Sequence, residues 1–90
     1  MTYTPTLLDA AVDLRRCVYA SIATNGFQSP EFLTFWKNAN VIISNKDSQI
    51  KPELKKYLYQ CLKNSGNEDL PKNKRQEDLL MAATLLTANT

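Results

Sequence analysis

Between Asn25 and Glu31 the chain places a helix stop directly before a helix start: Asn-Gly-Phe-Gln-Ser-Pro-Glu. Gly26 has no Cβ and so reaches the left-handed conformation that closes a helix. Ser29 can accept a hydrogen bond from the free amides of a following helix. Pro30 suits the first helical position, where no donor is needed. Glu31 is favoured at the positive end of the helix dipole. A chain punctuated in this way folds as two helices joined by a short turn, packed side by side or crossed.

Apolar spacing extends this reading over the whole chain. Thr4 and Pro5 form a cap-then-proline start. Leu7, Ala11, Leu14, Val18 and Ile22 then define one helix face, widened by Leu8, Val12, Tyr19 and Ala23. The second helix turns Phe32, Phe35, Trp36, Ala39, Ile42 and Ile43 inward. Residues 45–49 are polar and read as a loop; they lack the alternating acids and central glycine of a calcium loop. Pro52 and Glu53 start a third helix with Leu54, Tyr57, Leu58, Cys61 and Leu62 on one face, ended by Gly66. Asn73 with Gln76 reads as a capping box for the fourth. Leu79, Leu80, Ala82, Ala83, Leu85 and Leu86 make that helix apolar on most sides, so it is central or covered by another subunit. The expectation is a single all-α domain over 1–90. It is a small four-helix bundle built from two helical hairpins, with helices near 5–25, 30–44, 52–64 and 74–87.

Composition narrows the function classes. Ninety residues bury a limited core, so self-association, a homodimer for example, is one expected reinforcement. The net charge of +2 is weaker than a dedicated nucleic-acid binder usually carries. Cys17 and Cys61 lie within apolar helical patterns and read as small core residues. With no His in the chain, they are too few ligands for a zinc site. Neither a charged-then-apolar leader nor a long apolar run opens the chain, so no membrane association and a cytoplasmic location are expected. Catalytic parts are sparse as well. The commonest general base is missing, a Cys nucleophile has no His partner, and no glycine loop cradles phosphate. The acid pairs Glu68-Asp69 and Glu77-Asp78 are adjacent on the chain and point apart. The chain reads as a non-enzyme without cofactor or metal.

What remains is binding. Aromatic side chains are enriched at binding hot spots, and the second helix concentrates them. Phe32, Phe35, Trp36, Lys37 and Asn40 are the candidates for contact with another protein in a regulatory or adaptor role. A second reading rests on a resemblance to DNA-binding helix-turn-helix units. With Gly26 as the turn glycine, Phe27, Phe32 and Phe35 fall at apolar positions. Thr34, Lys37 and Asn38 then face outward on a recognition helix, and Lys37 and Asn38 are residue types that read bases or phosphates. Ile22 stands where that motif prefers Ala.

A second resemblance rests on Leu14-Arg15, Gly26, Ser29-Pro30-Glu31 and the pair Ile42-Ile43. In this order and spacing the first half of the chain resembles the small helical-hairpin phosphatases that act on the aspartyl phosphate of sporulation response regulators. The resemblance implies a helical hairpin and a signalling partner. The family's Ser-x-Glu-Leu-Asp signature departs here, because Trp36, Asn38, Ala39 and Asn40 stand at those positions. Asn40 replaces the carboxylate, so the resemblance implies binding of a response regulator or similar partner without hydrolysis. Phosphatase activity is the lesser alternative.

Overall fold

The Ser29 hydroxyl accepts a hydrogen bond from the Phe32 amide at 3.1 Å, and Pro30 follows as the first helical residue. Gly26 has φ 55°. The start signal of α2 therefore operates as local chemistry dictates, and Gly26 takes the left-handed conformation at the head of a 3₁₀ turn. A computed structural model describes residues 5–22 and 26–89. In them the chain forms α1 (Leu7–Ile22), α2 (Pro30–Asn45), α3 (Pro52–Ser65) and α4 (Lys72–Ala88). Single turns of 3₁₀ helix at Gly26–Gln28 and Asp47–Gln49 precede α2 and follow it. No strand occurs among the described residues, and no helix is long and apolar enough to cross a membrane. The architecture is a small all-α bundle of two helical hairpins.

α1 packs against α2 and α4, and α4 packs against α1 and α3. α2 and α3 do not pack along their lengths. They meet where the Trp36 indole Nε1 donates to the Ser65 hydroxyl at 3.1 Å. The result is flattened, with Cα extents of 34 × 33 × 16 Å. Leu14, Ile43, Leu58, Leu79 and Leu86 form the fully buried centre. The connection between α2 and α3 is tied down twice. Asp47 accepts hydrogen bonds from Lys55 Nζ and Tyr59 Oη. Asn89, beyond α4, accepts from the Lys51 amide at 2.7 Å and donates to the Gln49 carbonyl at 3.0 Å.

Several expectations are corrected. Residues 23–25, Asn25 included, lie outside the described residues, as does Thr4 of the expected first cap. The observed start of α1 is a reciprocal box. The Thr6 amide donates to Asp9 Oδ2 at 2.7 Å, and the Asp9 amide donates to the Thr6 hydroxyl at 3.3 Å. Leu7, Ala11, Leu14 and Cys17 of α1 are buried as expected, with Val18 half-buried, but the buried face turns toward Ala10 and Ser21, whereas Leu8, Val12, Tyr19 and Ile22 are exposed. A helix flanked on two sides needs small residues to let both neighbours approach within 8–10 Å, and the line Ala10, Ala11, Cys17, Ser21 supplies them.

Tyr57, expected inside, is exposed, while Leu58, Cys61 and Leu62 are buried as expected. Gly66 ends α3 with φ −91° and ψ −2°, in the right-handed region. Its missing Cβ serves packing instead: a Cβ there would lie 2.9 Å from Trp36 Cζ2. α4 begins at Lys72, after Pro71, so Asn73 lies inside its first turn. Asn73 Oδ1 accepts from the Lys74 amide, and Gln76 Nε2 donates across to Ser21 Oγ at 2.9 Å. That replaces the expected capping box. α4 is central, one of the two placements its apolar composition allows, although Leu80 and Met81 remain exposed.

Candidate functional site at the outer face of α2

The 3.6-residue period that turns Phe32, Ala39 and Ile43 inward also turns Lys37, Asn38, Val41 and Ser44 outward. Three adjoining hollows follow this outer face. The first, about 430 Å³, lies between α1 and α2 and is lined by Val12, Asp13, Arg16, Lys37, Val41 and Ile42, among others. The second, about 330 Å³, opens beside Trp36, Asn40, Val41 and Ser44. The third, about 240 Å³, reaches Pro5, Val41, Ile42 and Lys46. Val41 is 50% exposed and borders all three.

The walls of the first hollow are charged. Arg16 Nη1 donates to Asp13 Oδ1 at 3.3 Å, and the Arg16 guanidinium stands 5.6 Å from the centre of the Phe35 ring. Burial pushes the Asp13 carboxyl above its ordinary range, while the nearby guanidinium pulls it down. Lys37, on the opposite wall, is exposed and has no ion pair among the described residues.

The candidate contact residues separate into three groups. Phe32 is in the core, 2% exposed, with its ring edge-to-face against Phe27 at 4.8 Å. Burial there removes Phe32 from any surface contact in this conformation. Phe35 and Trp36 are half-buried; the Trp36 indole spans toward the end of α3. Lys37 lies on the outer face, and Asn40 at its edge donates Nδ2 to the Trp36 carbonyl at 2.8 Å. Thr34, Lys37 and Asn38 are all exposed. Sequence reasoning missed Val41 and the α1 wall of Val12, Asp13 and Arg16. The i,i+3 spacing of Asp13 and Arg16 shows their pairing, but not that α2 would close a hollow over it.

A further hollow of about 530 Å³ lies at the other end, beside Phe27, Lys72 and Arg75. Arg75 is committed to structure there. Its guanidinium stacks 3.7 Å from the Phe27 ring centre, and its Nε donates to the Ser65 carbonyl at 2.9 Å. Both cysteines are free thiols in the interior. Burial, with Asp13 nearby, pushes the Cys17 thiol up to about 12, which keeps it protonated and weakly nucleophilic. Among the described residues no three His, Cys, Asp or Glu side chains gather as metal ligands. Comparison with protein-family models, curated proteins and solved structures returns no match to this chain.

Proposed function

We propose that the protein works by binding another protein along the outer face of α2, in a regulatory or adaptor role. One observation carries the reading: three hollows run side by side and share the half-exposed Val41. An apolar floor flanked by Lys37 on one wall and the Asp13–Arg16 pair on the other suits a partner segment with apolar anchors and a charged rim. The resemblance to response-regulator phosphatases makes a response-regulator domain the first partner to try. Asn40 offers an amide engaged with its own helix, so the reading is binding without phosphate hydrolysis.

Val41→Asp tests this directly, because an exposed side chain can change charge with little effect on the core. Affinity for a captured partner falls at least about tenfold for a residue at the centre of an interface. Tyr57→Asp, on exposed α3, leaves capture intact. Capture that survives Val41→Asp refutes the surface. Capture that disappears after nuclease treatment, or weakens steeply with salt, transfers the site to nucleic acid read by Thr34, Lys37 and Asn38.

A further inference from the structure

α1 carries a second apolar line that the fold leaves uncovered. Leu8, Val12, Tyr19 and Ile22 are 47%, 42%, 76% and 67% exposed. With Arg15 among them, positions 8, 12, 15, 19 and 22 alternate steps of four and three, the spacing of a coiled-coil seam. The opposite side of α1 is already used against α2 and α4. Arg15 does not interrupt the line. Its Nη2 donates to Thr87 Oγ1 at 3.4 Å, which draws the guanidinium toward α4 and leaves the methylene stem on the seam. This contact and the Gln76–Ser21 bond set α1 and α4 antiparallel. Leu80, also exposed, then falls at the level of Tyr19 and broadens the apolar strip.

The flank of the seam on the α2 side is charged. Asp9 and Arg16 are seven residues apart and both line the hollow between α1 and α2, so they share that flank. We infer that the seam pairs with a second copy of this chain, the two α1 helices running antiparallel about a two-fold axis. Turned end for end, Leu8 meets the second copy's Tyr19, and Val12 meets its Arg15 stem. Asp9 comes opposite the second copy's Arg16, and the symmetry repeats the pairing. The antiparallel sense is the one that brings these two flanks together. A chain this short has a limited core of its own, and the shared seam covers apolar surface that the monomer leaves in water. Val12, Asp9 and Arg16 also line the hollow between α1 and α2, so the two surfaces adjoin; Trp36, Asn40 and Val41 belong to the partner site alone, and Tyr19 to the seam alone.

Sedimentation equilibrium of the full chain over a dilution series reads the mass. The expected result is a reversible dimer whose dissociation constant rises at least about tenfold in Tyr19→Lys, with helical circular dichroism unchanged. Tyr57→Lys, an exposed tyrosine on α3, leaves the dimer as it was. Disulfide trapping reads the orientation. Chains carrying Leu8→Cys cross-link to chains carrying Tyr19→Cys faster than either cross-links to itself, the native thiols being buried. A monomer at every concentration, a dimer that Tyr19→Lys leaves intact, or faster self-cross-linking of Leu8→Cys overturns the inference. A Val41→Asp chain that still dimerises while failing to capture a partner separates this inference from the α2 reading.

Discussion

Replacing Gly66 by alanine sets two effects of opposite sign against each other. The Gly66 backbone is right-handed, φ −91° and ψ −2°, so alanine adopts it without strain. Backbone entropy alone would make Gly66→Ala stabilising by about 0.4–1 kcal/mol. The new Cβ, however, would stand 2.9 Å from Trp36 Cζ2 and 3.3 Å from Cη2. The indole is not free to swing away, because its Nε1 donates to Ser65 Oγ, whose own hydrogen goes to the Leu62 carbonyl. Either the ring shifts and loses a hydrogen bond of about 1 kcal/mol, or the site is overpacked at a cost of about 1–3 kcal/mol. Steric cost wins, and the net is a destabilisation of about 0.5–2 kcal/mol. In a domain of this size that lowers the melting temperature by about 2–15 °C. Thermal and urea unfolding followed by circular dichroism measure it. In a Trp36→Leu background the obstacle is gone, and the same alanine becomes stabilising by about 0.4–1 kcal/mol. A higher melting point for Gly66→Ala alone, or an equal loss in both backgrounds, refutes the reasoning.

Other perturbations follow from the same geometry. Ser29→Ala removes the side-chain acceptor at the start of α2 and costs about 1 kcal/mol in urea unfolding, whereas Ser29→Asp retains most of the stability. The Asp13 carboxyl is held above its ordinary value of 3.8 by burial, with Arg16 opposing. The folded chain therefore binds that proton more tightly than the unfolded chain. Stability falls as pH rises from 3.8 to the raised folded value, and is level in this respect above it; Asp13→Asn abolishes that slope, and an unchanged slope speaks against the assignment. Cys17, fully buried with its thiol pushed up to about 12, reacts with a thiol reagent at neutral pH only as fast as the chain opens. Labelling at the rate of a free peptide thiol contradicts this burial.

The legible parts of the fold are those governed by near neighbours in sequence. The Ser29-Pro30-Glu31 start, the positive φ of Gly26 and the Pro52 start of α3 each involve groups within one helical turn. Local backbone chemistry decides them before any tertiary contact exists. Leu58, Cys61 and Leu62 were also readable, because they lie on the apolar stripe of α3; Leu79, Ala82, Ala83 and Leu86 were readable because α4 is apolar on most sides and so is central or covered. The site was legible in part. Its helix could be named from the concentration of aromatics, but its shape could not, since the hollows arise from the distance between α1 and α2.

α1 shows where local patterning stops. Its sequence has apolar residues on more than one side, so periodicity allows several rotations about the helix axis. Contact with both α2 and α4 selected the rotation that places small side chains inward, and Leu8, Val12, Tyr19 and Ile22 were turned out. The same holds for Trp36 and Gly66, whose fit depends on a meeting of α2 with the end of α3 across 29 residues of chain. By itself, the sequence determined that the chain is all-α and where α2 and α3 start, because the Ser29 cap and the helix-opening Pro30 and Pro52 act within a single turn. Only the tertiary structure decided which apolar line of α1 is covered, where Trp36 rests and where the hollows open. Those outcomes follow from close packing between helices that the chain brings together from a distance.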